Sequence, residues 1–413
     1  MTEPHLPTVI RRGTPEFIRA NIAFFLSAFA IFATLYSVQP LLPIFAEQFG
    51  LNAGQSSLSL SVTTATLAVA LLFASLVADR VGRKLLMVWA IISTAVLGLM
   101  LPFAPTWETL VAIRALMGLT LSGLPAVAMV YLAEEMDPEA LGFSMGLYIG
   151  GTAIGGMSGR LISGVLADWI TWRPALLVLG VMIAAAAIAV VLLLPTPHHS
   201  ARSRLGLRDL GRLIRIQFRD EGLPWLFLSA FLLMGSFVTL YNYAGFRLAL
   251  PPFELSHAVI SAIFLVYLLG SISSTWAGGL AQRLGRRKVY WTLVLTMGIG
   301  VALTLVPSTP VIIIGLAIAT IGYFAAHGIA SAWVARRALV GRAQASAIYL
   351  FAYYLGSSVL GTLGGYAWVG MGWNGVMLVS GGAAIAALLV AFRLMVLPPL
   401  AMPERPAEPP AGV

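Results

Sequence analysis

Charge is scarce in this chain and cysteine is absent. Of 413 residues only 10% are Asp, Glu, Lys or Arg, and 59% are hydrophobic, whereas a soluble domain carries about 25% charged residues. No water-soluble core hides that much apolar surface. The apolar runs are long enough to cross a bilayer, which takes about 20 residues per helix, so the chain reads as a polytopic membrane protein. The lack of cysteine excludes disulfides, thiol redox chemistry and cysteine-ligated metal sites. No Gly-Lys-Ser/Thr phosphate loop and no His-Glu-x-x-His pair occurs, which argues against ATP hydrolysis, metalloenzyme chemistry and any cofactor.

What charge there is falls unevenly. A sequence pI near 10.1 could suggest nucleic acid, but most Lys and Arg lie in alternate loops on one side of the apolar runs. That is the positive-inside pattern, so the excess reports topology. Arg11-Arg12 resembles a twin-arginine start, yet the run over 22–45 is too long for a signal-peptide core and reads as a retained helix. Twelve apolar spans follow one another: 22–45, 57–78, 85–103, 107–132, 140–167, 173–194, 224–245, 257–282, 289–306, 311–335, 343–369 and 373–396. They divide the chain into a tail (1–20), a six-helix bundle (21–194), a linker (195–221), a second six-helix bundle (222–397) and a Pro-rich tail (398–413). The outer loops hold only Arg173 and Arg247. The inner loops carry Arg80, Arg83, Lys84, the linker, Arg283 to Lys288, Arg336, Arg337 and Arg342, and one acidic loop with Glu134, Glu135, Asp137 and Glu139. An even number of spans returns both ends to the inner side.

The halves repeat. Asp79-Arg80-Val81-Gly82-Arg83-Lys84 is echoed by Gln282-Arg283-Leu284-Gly285-Arg286-Arg287-Lys288. Phe25-Leu-Ser-Ala-Phe29 recurs as Phe227-Leu-Ser-Ala-Phe231, Thr34-Leu-Tyr36 as Thr239-Leu-Tyr241, and Gly155 and Trp172 align with Gly356 and Trp373. Four coincidences at offsets between 201 and 205 residues point to a 6+6 duplication, a recurrent transporter plan with the substrate site between the halves. In the linker Leu207, Leu210, Ile214 and Phe218 form one helical face, and Arg208, Arg212, Arg215 and Arg219 follow the same spacing elsewhere. Two readings stand: a helix lying on the anionic inner leaflet, or a solvated spacer.

Hydrogen-bonding side chains are costly in hydrocarbon unless they face protein or water. Spans 3, 6, 9 and 12 have few and are expected to face lipid. Tyr36 and Gln39 in span 1, with Pro40 and Pro43, Thr239, Asn242 and Tyr243 in span 7, Tyr323 and Trp333 in span 10, and Tyr353 in span 11 are the cavity candidates. Arg114 in span 4, Arg160 in span 5 and His327 in span 10 lie deep, with no Asp or Glu at their depth. Either arginine can cap helix-end carbonyls or snorkel outward; either can equally form a positive cavity wall. His327 is a satisfied core histidine or a proton carrier, being the one buried group whose ordinary titration falls near neutral pH. In span 5 two staggered ladders, Gly142, Gly146, Gly150 and Gly151, Gly155, Gly159, offer faces for close approach, and are expected to let two halves seal and rock.

The turn at Asp79–Lys84 resembles the signature Gly-x-x-x-Asp-Arg-x-Gly-Arg-Lys of the major facilitator superfamily, with Ser75 in place of its first glycine. The second copy keeps Gly278, Arg283, Gly285, Arg286 and Arg287 but has Gln282 for the acid. Arg114-x-x-Met117-Gly118 resembles the fourth-helix motif of that superfamily. Gly151-Thr-Ala-Ile-Gly155-Gly156 resembles the fifth-helix antiporter motif, with Thr152 for its proline. The set is similar to the twelve-helix drug:proton antiporters, and to their bacterial inner-membrane YnfM-like branch through Arg12-Gly-Thr-Pro-Glu16, Gly156 to Gly164 and Tyr353-Tyr-Leu-Gly-Ser-Ser358. The resemblance implies an all-α fold of twelve membrane helices, a monomer in the bacterial inner membrane, and proton-coupled exchange of a small molecule with Arg114 in the coupling. It implies an inner charge cluster of Asp79, Arg80, Gly82, Arg83 and Lys84 holding the halves together, for which Glu134 or Glu135 is the expected partner of Arg83. Exporters of cationic drugs in this family often carry a buried acid in the first helix, and none is present here. That favours neutral, zwitterionic or anionic substrates. Uptake or facilitated diffusion of a sugar or organic anion is the alternative to efflux.

Overall fold

A computed structural model describes residues 9–197 and 206–397. The first eight residues, the linker segment 198–205 and the C-terminal tail expected over 398–413 lie outside it. Every one of the twelve apolar runs is helical. Span 1 is Pro15–Tyr36, a 3-10 turn Gln39–Leu41 and Leu42–Phe49; span 2 is Ala53–Val81; span 3 is Arg83–Met100; span 4 is Trp107–Leu121 and Pro125–Glu135; span 5 is Pro138–Ile170; span 6 is Trp172–Leu193. Span 7 is Leu223–Ala249; span 8 is His257–Ala262, Ile263–Val266 and Tyr267–Leu284; span 9 is Arg286–Leu303; span 10 is Thr309–Arg337. Spans 11 and 12 are two helices within Arg342–Val396 that meet at Gly372, whose φ of 57° and ψ of −139° are not helical and are open to glycine. Nine helices among the described residues are each long and apolar enough to cross a bilayer. The difference from twelve has three sources: span 4 is broken, span 9 opens on three basic residues, and spans 11 and 12 follow each other at the Gly372 turn with no loop between them.

Local sequence sets the first boundary. Thr14 caps the opening helix by accepting from Phe17 N at 3.2 Å, Pro15 stands in its first turn and Glu16 faces its positive end. Span 1 therefore starts earlier than hydropathy alone indicates. Large apolar side chains such as Trp89, Ile188, Leu192, Leu378 and Leu389 remain exposed on spans 3, 6 and 12, as surfaces bathed by lipid would be.

The duplicated motifs have a packing cause. A Cβ on Gly155 would stand 2.3 Å from Phe29 O, and one on Gly356 would stand 2.0 Å from Phe231 O. Each half thus has its first helix crossing its fifth backbone to backbone, with glycine as the residue that fits. Gly151 and Gly159 make the same kind of contact to Phe25 and Ala33, while Gly142, Gly146 and Gly150 meet nothing within 4 Å. This corrects the expectation that the ladders seal one half against the other: the filled ladder binds span 5 to span 1 inside the N-terminal half.

Each half also has a tether. Ile10 N donates to Glu135 O at 2.8 Å and Asp137 N donates to Ile10 O at 3.1 Å, fastening the chain before span 1 to the end of span 4. Before span 7, Asp220 accepts from Arg337 Nε at 2.5 Å at the end of span 10, and from Gly222 N and Leu223 N at 2.8 and 2.7 Å. The linker helix, Leu207–Arg219, docks on the C-terminal half: Leu210 is buried and Gln217 donates to Val340 O at 2.8 Å. Its four arginines point away, exposed. Leu210 and Ile214 of its apolar face therefore meet protein, while Phe218 stays exposed.

The halves meet on the face opposite the Asp79–Lys84 turn. There Gly54 and Gly365 approach backbone to backbone, Gly164 lies against Ser261, and Leu42 and Ala53 join Tyr243, Phe246 and Val376 in an apolar cluster. Adding one methyl to Gly155 or Gly356 overpacks a helix crossing, which costs about 1–3 kcal/mol. Gly155→Ala and Gly356→Ala are expected to lower the thermal unfolding midpoint of the purified protein by several degrees, with Gly142→Ala unchanged. Equal midpoints in all three would refute the packing role.

Candidate functional site

Span 1 stops at Tyr36 because Gln39-Pro40 cannot continue a helix, and it resumes at Leu42. The end of a helix leaves carbonyls without partners. Arg114, fully buried, takes two of them, donating from Nη1 to Thr34 O at 3.0 Å and from Nη2 to Leu35 O at 2.7 Å. Its Nε donates to Ser59 O at 2.8 Å in span 2. Ser163 of span 5 donates to Ser37 O at 2.6 Å. Arg114 thus caps a helix end, one of its two expected roles, and is turned away from open space.

The break presents Tyr36 and Gln39 to the partner half. Gln39 Nε2 donates to Asn242 Oδ1 at 2.7 Å and Arg160 Nε donates to Gln39 Oε1 at 2.5 Å, so one chain of polar contacts crosses between the halves. Arg160 also donates to Gly156 O at 2.6 Å, and its Cζ lies 3.9 Å from the Tyr36 ring centroid, 4.7 Å from Tyr267 and 5.1 Å from Phe264. Guanidinium over aromatic faces at these distances is a cation–π arrangement. Among the described residues no carboxylate lies within ion-pair distance of Arg114 or Arg160.

From Tyr267 the aromatic surface continues into the C-terminal half. Phe237 and Tyr323 stack at 3.9 Å, and the Tyr323 hydroxyl donates to the Tyr353 hydroxyl at 2.6 Å. His327 packs against Tyr353 at 4.7 Å and pairs through Nδ1 with the Tyr349 hydroxyl at 2.9 Å. His327 and Tyr353 are only half-buried, which puts their edges on open space at mid-span. Tyr241 pairs with Thr320 at 2.6 Å.

The remaining predicted residues lie outside this cluster. Tyr243 donates to Gly361 O at 2.5 Å and Thr239 packs beside Gly364, both within the crossing of spans 7 and 11. Trp333 stands edge-on to Tyr290 of span 9. At the turn, Arg83 pairs with Glu134, the expected partner, within the N-terminal half. Asp79, Gly82, Arg83, Lys84, Glu134 and Glu135 line a surface cavity of about 490 Å³, where Lys84 Nζ reaches Thr196 Oγ1 at 3.4 Å. Arg80 adjoins them at the end of span 2. Gly142-Phe-Ser144-Met-Gly146 has the letters of a hydrolase nucleophile elbow, but it lies mid-helix in span 5 and lacks the required strand-to-helix turn.

Sequence reasoning missed Phe264 and Tyr267. Span 8 carries no charge or amide at that depth, so nothing in its composition marks these aromatics out. The available signal was their spacing of three, one helical face, beside a 3-10 segment.

Comparison with known proteins agrees with this architecture. The family model of the Major Facilitator Superfamily matches residues 24–250 and again 232–412. The chain is 46% identical over 385 residues to the inner membrane transport protein YnfM of Escherichia coli K12, covering 93% of this chain and 92% of the relative. It is 42% identical over 370 residues to the uncharacterized MFS-type transporter YybF of Bacillus subtilis 168, covering 90% and 92%. A crystal structure of the nucleoside transporter NupG aligns with a TM-score of 0.73 at 15% identity, over 92% of this chain and 99% of that one. Twelve helical runs in two duplicated halves, the glycine crossings that repeat with them and the matches over nearly the whole length agree: this chain belongs to the Major Facilitator Superfamily of membrane transporters.

Proposed function

We propose that the chain exports a small organic molecule across the bacterial inner membrane in exchange for protons, by alternating access. One observation carries this reading: a polar and aromatic cluster built from both halves sits at mid-span, and the contacts joining the halves gather on one face beyond it. A carrier needs its site at the pivot and one gate closed at a time. With both chain ends cytoplasmic, the closed face is periplasmic and the site opens inward. The protein acts as a monomer, with the exposed arginines of the linker helix facing anionic headgroups.

His327 is the proton-binding group in this scheme. It is half-buried, it touches open space, and Tyr349 holds Nδ1. Arginine is not deprotonated in proteins, and the donors of Arg114 are committed to carbonyls. Its part is to position span 1, with no proton passing through it. The second reading is uptake or facilitated diffusion of a sugar or organic anion, favoured by the lack of a carboxylate at the depth of Arg160. Substrate-driven proton movement in vesicles, over a panel of anions, sugars and dyes, separates the two. His327→Ala is expected to abolish uphill, proton-coupled transport while substrate binding persists; an unchanged pH dependence would retire the proton role.

The Asp79–Lys84 turn serves as the inner latch. With the outer face closed, Arg83 rests on Glu134 and Asp79 is left beside Arg83, ready to engage the other half when the inner side shuts. The C-terminal copy has Gln282 in the acid's place. Asp79→Asn is therefore expected to reduce transport about tenfold, and Gln282→Glu to alter it less than twofold, measured as initial flux in vesicles. A latch contact worth about 1.4 kcal/mol gives that factor. Equal, mild effects would reduce the turn to a topology marker.

A further inference from the structure

We infer that Arg160, Tyr267 and Asn242 form a receptor for a carboxylate, and that the transported molecule is a small organic acid; the second step rests on the transport reading above. Free donors outnumber free acceptors around the guanidinium. Guanidinium offers five N–H groups and accepts nothing. Arg160 uses Nε on Gln39 Oε1 and Nη1 on Gly156 O, and among the described residues Nη2 has no partner. Gln39 spends its amide on Asn242 Oδ1, which leaves Asn242 Nδ2 buried without an acceptor. The Tyr267 hydroxyl, whose ring lies 4.7 Å from the Arg160 Cζ, is also buried and unpaired. Residue exposures are 3% for Arg160, 1% for Asn242 and 6% for Tyr267.

The site is therefore short of acceptors and carries one uncompensated positive charge. A buried cation without a counter-ion and buried donors without acceptors both oppose folding. A carboxylate removes both costs at once, since it brings one negative charge and about four lone-pair positions, and guanidinium takes it in charge-assisted bonds. The rings of Tyr36, Phe264 and Tyr267 around the guanidinium give a flat apolar body a surface to rest on. Arg160 comes from one half, and Asn242 and Tyr267 from the other. A bound acid therefore bridges the halves at the point where they must part. A free inorganic anion shares the charge but leaves the rings uncovered.

The test uses the full chain purified in detergent, with benzoate, its neutral isostere benzamide, and chloride as probes, read by ligand-induced thermal stabilisation and tryptophan fluorescence. Benzoate is expected to stabilise the protein and benzamide to fail at the same concentration. Arg160→Gln should weaken benzoate binding at least tenfold, and Arg160→Lys should restore part of it. Asn242→Asp places a carboxylate in the site, so it should leave the protein folded and block benzoate; this variant decides the matter if Arg160→Gln fails to fold. Equal binding of benzoate and benzamide, or undiminished benzoate binding in Asn242→Asp, overturns the receptor. Chloride matching benzoate in wild type overturns the assignment to an organic acid. Binding is read without flux, so a protein that binds benzoate yet moves nothing across liposomes refutes the transport reading and leaves the receptor standing.

Discussion

A helix that stops inside a bilayer leaves carbonyls where no water can take them, and each unmet group costs several kcal/mol. Span 1 stops there at Tyr36, and the rest of the site depends on how that cost is met. Arg114 supplies a cation at the negative end of the helix and donors to Thr34 and Leu35, while its third donor fixes span 2. Only because the break is held can Gln39 reach Asn242 and Tyr36 lie flat under Arg160. Span 7, the counterpart, has no proline between Pro224 and Pro251 and runs unbroken. Leu316 accordingly stands where a strict repeat of Arg114 would fall. The asymmetry of the two halves begins with a single dipeptide, Gln39-Pro40.

The two halves are held internally by one kind of contact and joined to each other by another. Inside each, glycine lets the fifth helix press on the backbone of the first. Between them, Gly54 on Gly365 and Gly164 on Ser261 bring small residues together on one face, beside an apolar cluster of Leu42, Ala53, Tyr243, Phe246 and Val376. The polar chain through Gln39 lies just inside that closure.

How far the sequence could be read follows from which residues speak locally. Helices, their number and the duplication came from hydrophobic runs and repeated letters, and those signals need no tertiary knowledge. Arg160, Gln39 and Asn242 were legible because polar groups are conspicuous in an apolar chain. Tyr267 and Phe264 were not, since an aromatic ring looks the same whether it faces lipid or a guanidinium; only the folded position of span 8 distinguishes them. Trp333 shows the converse, a ring with a polar edge that packs on Tyr290 in the bundle. The glycine ladders were visible as ladders, but their partner was not, because spacing does not say which helix comes close.

The tethers have a consequence for synthesis. Ile10 fastens to the end of span 4 and Asp220 to the end of span 10, so each half carries its own closing contact at its leading edge. Domains fold as units while the chain emerges, N-terminal first. The leading bundle can therefore close its tether before span 7 exists, and the linker helix, docked on the trailing bundle, takes no part in that step. A ribosome still translating the C-terminal half would be attached to a finished N-terminal one. Gln39 Nε2 then gains its partner only when Asn242 arrives with the second half.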